Sequence, residues 1–348
     1  MKRTGNLYDQ IADTDNLLLA YWKAKRGKEA KWEVIEYAKC LDENINLLKK
    51  GLLNETLTVG NYQYFTIYDP KKRLICAASF PERVLHHAIM NVCHPVFEKF
   101  QIFDSYATRP VKGQYAALLK VKSYCQNNAW FCKLDVRKYF DSIDHELLLM
   151  KLTQKFKDKR LLCLFDKIIQ SYEVSSRIGI PIGNLTSQYF ANFYLGFADH
   201  YMKEALKVHH YVRYMDDMVF FSDKRSSLLE LSKKFTYYID SDLQLKIKTP
   251  CIQPIEKGLP FLGYVIFNDC VRLNKNSKKR FFRKFQEYGQ NLERKLWSQK
   301  EYVNHITPLF AFVKFANTES LRDKMLVKWK YADGLEPRES WRQLEQQC

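Results

Sequence analysis

Hydrophobic positions in residues 7–50 recur at helical spacing, as Leu17-Leu18-Leu19 with Tyr21-Trp22, then Val34, Tyr37-Ala38 and Leu41. The period changes at residues 61–68. There Asn61-Tyr62-Gln63-Tyr64-Phe65-Thr66-Ile67-Tyr68 alternate and are rich in aromatic and β-branched residues, which predicts a strand stopped by Asp69-Pro70. Lys71-Lys72-Arg73-Leu74-Ile75-Cys76 reads as a second, basic strand, and from Pro81 onward Val84, Leu85, Ala88, Ile89 and Val92 return to helical spacing. Trp130 to Val136 is a short apolar strand ending on an acid, Asp135, and the stretch from Ser142 to Leu152 predicts a helix with Asp144 placed to cap it. Residues 189–206 predict a helix, 211–221 a hairpin and 261–267 a strand; from Ser277 a helical tail sets Phe281, Phe285, Tyr288, Leu292 and Leu296 on one face.

The predicted hairpin carries the first candidate chemistry. Tyr214-Met215-Asp216-Asp217 stands between the apolar runs Tyr211-Val212 and Met218-Val219-Phe220-Phe221. Two adjacent carboxylates in a low-dielectric setting repel, and one would take up a proton unless a cation answers them. Asp135, roughly eighty residues earlier, supplies a third acid at a strand end. Alone it could be a turn acid before Val136-Arg137-Lys138-Tyr139-Phe140. Together, three carboxylates can hold two Mg²⁺ ions in a two-metal arrangement.

Composition narrows the partner. The 348 residues are 46% hydrophobic, enough for a substantial core in two or three lobes. Lys and Arg number 56 against 39 Asp and Glu, a formal charge of +17, and aromatics make up 15%. A basic surface with aromatic platforms suits nucleic acid, with a generically basic protein as the alternative. Between Val271 and Lys300 there are ten Lys/Arg against two Glu, so the predicted tail helix is apolar on one face and cationic on the other. The nine cysteines show no C-x-x-C pair or zinc-like spacing and read as core hydrophobes in a reducing compartment. With no signal-peptide pattern at Met1-Lys2-Arg3 and no apolar run near membrane-spanning length, the expectation is a soluble cytoplasmic protein with no membrane partner.

Taken in order, these blocks resemble a reverse transcriptase. Tyr214-Met215-Asp216-Asp217 matches the family's Y-x-D-D motif, and Asp135 through Asp144, with Phe140, its first aspartate block. Lys71 to Ile75 resembles a fingers strand, Ser105 to Gly113 the next fingers block, and Phe261-Leu262-Gly263 the hairpin that grips a primer end. The resemblance implies an α+β right-hand polymerase: an N-terminal helical extension (1–60), fingers (61–130), a palm of antiparallel sheet packed on helices (131–270, with a fingers contribution near 150–185) and a basic helical thumb (271–348). It implies two Mg²⁺ ions, with Mn²⁺ as a substitute, at Asp135, Val136, Asp216 and Asp217. Lys248 would donate a proton to pyrophosphate, with a merely solvated lysine as the alternative. Lys72 or Arg73 would meet the triphosphate of a dNTP, Phe140 would act as sugar gate, and Ile182, Gly183 and Gln188 would border the nucleotide. Arg109, Lys112, Tyr214, Met215, Phe261, Leu262 and Gly263 would contact primer and template.

Ile180-Pro181-Ile182-Gly183-Asn184-Leu185-Thr186-Ser187-Gln188 departs from most bacterial relatives, which carry Gln where Ile182 stands and Pro where Gln188 stands. The G-x-x-x-S-Q ending resembles enzymes of diversity-generating retroelements. That implies copying a template-repeat RNA into cDNA, with errors at template adenines, for mutagenic retrohoming into a variable gene. The implied partners are template RNA, a cDNA or DNA primer, dNTPs and a small basic accessory protein. Alternatives are a retron, group II intron-like or phage-defence enzyme, or a non-catalytic RNA-binding protein of the same fold. The chain to Cys348 leaves no room for an RNase H domain and has no Cys/His cluster of the intron endonuclease kind, so the expectation is polymerisation without template degradation or target nicking.

Overall fold

The computed structural model describes residues 3–68 and 72–325. Its N-terminal residues form α1 (Tyr8–Ile11), α2 (Thr14–Lys25), α3 (Trp32–Lys39) and α4 (Leu41–Leu53). Asp13 starts α2 by accepting hydrogen bonds from the Asp15 and Asn16 backbone N–H groups. Leu17, Ala20, Tyr21 and Ala24 form its buried face. The predicted strand pair is present as β1 (Tyr62–Ile67) and β2 (Arg73–Ala78), antiparallel from Tyr62↔Ala78 to Ile67↔Arg73. Lys71, expected at the start of the second strand, lies outside the described residues.

Next come α5 (Phe80–Phe100), α6 (Gln114–Gln126), β3 (Trp130–Asp135), α7 (His145–Thr153), α8 (Lys159–Gln170) and α9 (Leu185–His200). Asp144 caps α7 as expected, accepting from Leu147 N at 2.8 Å. α5 is buried on several sides, and Gly196 of α9 permits its close approach: a Cβ there would lie 2.7 Å from Phe100 Cε1. The helix predicted over 189–206 thus starts earlier, at Leu185, and its last turn (Tyr201–Ala205) widens to π geometry. β4 (Tyr211–Tyr214) and β5 (Asp217–Ser222) form the predicted hairpin, followed by α10 (Arg225–Leu243) and β6 (Cys251–Pro254). These strands and β3 make one four-stranded sheet in the order β4-β5-β3-β6.

The strand predicted over 261–267 is instead a reversal. β7 (Leu259–Phe261) and β8 (Tyr264–Ile266) pair antiparallel around Leu262-Gly263, both at positive φ (46° and 93°), and β9 (Val271–Leu273) completes a three-stranded sheet. Periodicity alone does not show the turn, because only Gly263 marks it, but a hairpin at Phe261-Leu262-Gly263 is what the family resemblance implies. α11 (Lys275–Glu293) and α12 (Gln299–Lys314) pack around Phe281, Phe285, Tyr302, Ile306 and Val313. Leu296 lies beyond the end of α11 and is exposed, so it leaves the predicted apolar stripe.

Helices combined with antiparallel strand pairs place the chain in the expected α+β class. The described residues divide into two compact units: those within 3–117, 132–220 and 226–252 in one, and those within 118–131, 221–225 and 253–325 in the other. Of the cysteines, Cys76, Cys93, Cys125 and Cys132 are buried as expected, whereas Cys40 and Cys163 are exposed. Among the described residues no helix is long and apolar enough to cross a membrane.

Candidate active site

Tyr214 pairs with Asp217 across the hairpin, leaving Met215-Asp216 as a two-residue turn. Met215 sits at φ +54°, a left-handed conformation that costs a non-glycine residue about 1–3 kcal/mol. Buried Val212, Met218, Val219 and Phe220 anchor the strands below it. The turn is also held by Arg213, whose side chain is fully buried and bridges to fully buried Asp199 on α9 at 2.6 Å. Arg213 Nη1 donates to the Met215 carbonyl (3.1 Å) and Asn192 Oδ1 (3.0 Å), and Nη2 donates to Gln101 Oε1 (3.1 Å). Tyr211 Oη donates to the same Asp199 carboxylate at 2.8 Å.

β3 lies beside β5, so Asp135 and Asp217 come from neighbouring strands. The segment 246–248 runs along the end of β3: Arg137 N donates to Lys246 O (2.8 Å), Lys248 N to Asp135 O (2.9 Å), and buried Val136 bridges Ile247. Lys248 Nζ reaches Asp135 Oδ1 at 2.5 Å, and Lys133 Nζ reaches Asp217 Oδ1 at 2.9 Å. Asp216 holds its proton more tightly than an ordinary carboxyl. Burial is the main cause, and Asp217 and then Asp135 add repulsion that Lys248 partly offsets. Three carboxylates and two ammonium groups therefore share one electrostatic neighbourhood.

Hard oxygen donors of net negative charge suit a divalent cation. In the arrangement seen, two of the acids are answered by lysines instead. Among the described residues no group of three or more His, Cys, Asp or Glu is set to hold an ion. The residues fit a cation by charge and chemistry, with Asp135 and Asp217 paired to Lys248 and Lys133 in the arrangement seen.

A second cluster joins β2 to the loop before α9. Cys76 N donates to Ile182 O at 2.9 Å and Ala78 N to Asn184 Oδ1 at 3.2 Å. Gly183 has φ +123°, and a Cβ on it would stand 2.9 Å from Ile75 Cγ2 and 3.1 Å from Cys76 O. Only glycine allows the loop to lie this close. Ile180 N donates to Phe140 O at 2.9 Å, which ties the residues after β3 to the same loop. Lys72 and Arg73 are exposed at the start of β2, and Gln188 is half-buried in the first turn of α9.

The Arg109 guanidinium donates to Glu98 (2.6–3.0 Å) and to the Ile102 and Ser105 carbonyls, so it fastens its own loop. Lys112 is likewise engaged, with Nζ 3.3 Å from the Phe103 ring centroid and donating to Phe103 O. Phe261, Leu262 and Gly263 belong to the second unit, where Gly263 packs against Phe312 and Ser277. Sequence reasoning missed Lys133, Asp199 and Arg213. For Arg213 a signal existed: a lone cation inside the apolar run Tyr211-Val212-Arg213-Tyr214 needs a buried partner.

The family described as "Reverse transcriptase (RNA-dependent DNA polymerase)" matches residues 68–266, more than half of the chain. The "Putative COX1/OXI3 intron 2 protein" of Saccharomyces cerevisiae is 25% identical over 56% of this chain and 24% of its own length. The "Group II intron-encoded protein LtrA" of Lactococcus lactis subsp. cremoris is 25% identical over 36% of this chain and 22% of its own length. The chain therefore spans about a quarter of the length of these curated relatives. The apo telomerase structure from Candida tropicalis aligns over 77% of this chain and 61% of its own at 12% identity, with a TM-score of 0.48. The stretch matched by the family profile contains Asp135, Asp216, Asp217 and Lys248 in one unit of the fold, and the chain belongs to the reverse transcriptase family.

Proposed function

We propose that the protein is an RNA-directed DNA polymerase that extends a primer along an RNA template. The observation that carries this reading is the meeting of Asp135, at the end of β3, with Asp216-Asp217 at the turn of the adjacent hairpin. In the reaction the primer 3′-hydroxyl gives up its proton to solvent, its oxygen bonds the α-phosphorus of a dNTP, and the bond from that phosphorus to pyrophosphate breaks. Asp135, Asp216 and Asp217, with Val136 beside them, would hold Mg²⁺, which when bound would supply charge neutralisation and a lowered hydroxyl pKa. Lys248 stands ready to protonate the leaving group once released from Asp135. Lys72 or Arg73 meets the triphosphate, and Phe140 lies under the sugar. The basic, apolar-striped helix α11 serves as thumb and the β1–β2 pair as fingers. Primer extension on a defined RNA tests this: Asp216→Asn should abolish extension, and an Asp216→Asn enzyme extending at the wild-type rate would overturn it.

The finer reading is a diversity-generating retroelement enzyme that misincorporates at template adenines, aided by an accessory protein. Its support is Ile182, an apolar residue whose backbone is tied to Cys76 where a hydrogen-bonding Gln would discriminate nucleotide geometry. Sequencing cDNA made by the purified protein should show errors concentrated at adenines, falling in Ile182→Gln. A group II intron-like role is the second reading, favoured by the intron-encoded relatives. Uniformly low error in the wild type would favour it.

A further inference from the structure

Among the described residues, the side chain of Asp141 makes no hydrogen bond and no ion pair. It sits in the short 3₁₀ turn Tyr139–Ser142 that follows β3. The polar side chains on either side of it are committed. Tyr139 Oη donates to Ala191 O at 2.5 Å, and Ser142 Oγ donates to Arg137 O (3.1 Å) and Lys138 O (3.0 Å). Asp141 is half-buried, and burial makes it hold its proton more tightly than an ordinary aspartate, with Lys138 partly offsetting this. A half-buried acid without a partner is costly and calls for an explanation. Its surroundings supply one. The charge of Asp141 is felt by Cys76 and by Tyr172, whose hydroxyl donates to the Cys76 thiol. Cys76 N in turn donates to Ile182 O at 2.9 Å, and the carbonyl of Phe140, the residue before Asp141, accepts from Ile180 N at 2.9 Å. Asp141 therefore belongs to the cluster that joins β2 to the loop before α9.

We propose that Asp141 accepts a hydrogen bond from the 3′-hydroxyl of the incoming nucleotide and so selects dNTPs over their 3′-deoxy analogues. The inference rests on the nucleotide site of the proposed function, where Phe140 lies under the sugar. An ionised carboxylate only accepts hydrogen bonds, and it repels a triphosphate. Of the parts that all four dNTPs share, the 3′-hydroxyl is the one hydrogen-bond donor. A site that copies any template base must use a shared group, which sets the amino groups of individual bases aside. Asp141 is next in the chain to Phe140, so both side chains would address the same part of the nucleotide, one by shape and one by charge. A bond from a hydroxyl to an ionised acceptor is among the stronger kinds.

Single-nucleotide extension of a primer on a defined RNA by the full chain, with dTTP or its 2′,3′-dideoxy analogue, tests the proposal. The 3′-hydroxyl of an incoming nucleotide takes no part in its own incorporation, so a difference between the two reports contact and not chemistry. In the wild type, KM for the dideoxynucleotide should exceed that for dTTP by about tenfold or more at similar kcat, as expected for a hydrogen bond to a charged group. Asp141→Ala should raise the KM for dTTP to the dideoxynucleotide value and leave the latter unchanged. Asp141→Asn keeps the shape and one acceptor oxygen, and should fall between. The melting temperature of either variant should be unchanged or raised, because an unpartnered, half-buried acid has been removed. Equal losses for both nucleotides in Asp141→Ala, or a wild type blind to the 3′-hydroxyl, would overturn the proposal. A wild type that extends neither nucleotide would instead remove the polymerase reading. Calorimetric binding of dTTP and its dideoxy analogue to the protein with primer and template then decides on Asp141: tighter binding of dTTP that is lost in Asp141→Ala supports it, and equal affinities overturn it.

Discussion

Arg213 and Asp199 form an ion pair with no solvent exposure on either side chain, 2.6 Å apart, directly beneath the Met215-Asp216 turn. Arg213 donates to Asp199, Asn192, Gln101 and the Met215 carbonyl, so the pair ties the turn to α9 and to the end of α5. Removing one partner leaves a buried charge unanswered. Asp199→Asn should therefore destabilise the fold by about 3–5 kcal/mol in denaturant unfolding. Arg213→Lys keeps the charge but loses the fork that reaches both Asp199 and Met215 O. It should lower kcat for extension far more than it raises KM for dNTP. Equal changes in both constants would remove Arg213 from a role in placing the turn.

The two lysines on the acids compete with a cation. Lys133→Met frees Asp217 from its 2.9 Å ion pair and should lower the Mn²⁺ concentration needed for half-saturation by roughly 3- to 10-fold, as expected for partly exposed charges worth about 1 kcal/mol. Mn²⁺ titration followed by electron paramagnetic resonance measures this without turnover.

Gly183 has a backbone conformation that L-residues avoid and no room for a Cβ against Ile75 and Cys76. Gly183→Ala should cost about 1–3 kcal/mol and loosen the bond from Cys76 N to Ile182 O. Faster amide exchange at Cys76, together with a lower melting temperature, is the expected signature.

His86 is buried on α5, with Nε2 3.6 Å from Glu82, and burial pushes its pKa down to about 3. Glu82 is itself occupied by the Gly60 and Asn61 backbone N–H groups. Burial leaves the imidazole neutral in the fold, while the unfolded chain takes up a proton near pH 6.5. Stability from this group is complete above about pH 6.5 and is lost as pH falls toward 3, by at most about 1.4 kcal/mol per pH unit. His86→Gln should flatten the stability profile between about pH 6.5 and 5 relative to wild type; identical slopes would show that other groups govern it.

Much of the fold was legible because its signals are local. Alternation over Tyr62–Ile67 and the apolar run ending at Asp135 each needed only a short window, and Asp144 announced the start of α7. The Tyr214–Asp217 turn was legible because two acids between apolar runs have few places to go. The Leu262-Gly263 reversal was legible only through the family resemblance, since its flanks are as apolar as a continuous strand.

By itself, then, the sequence determined the elements, the three acids and the family resemblance they carry. Tertiary structure decided which charges meet: Arg213 with Asp199, Lys133 with Asp217, Lys248 with Asp135, and Arg109 with Glu98. Hydrophobic period reports which face of an element is buried, but a cation finds its anion only through the path of the whole chain. Lys248 and Asp135 are separated by 113 residues and become neighbours because segment 246–248 runs along the end of β3.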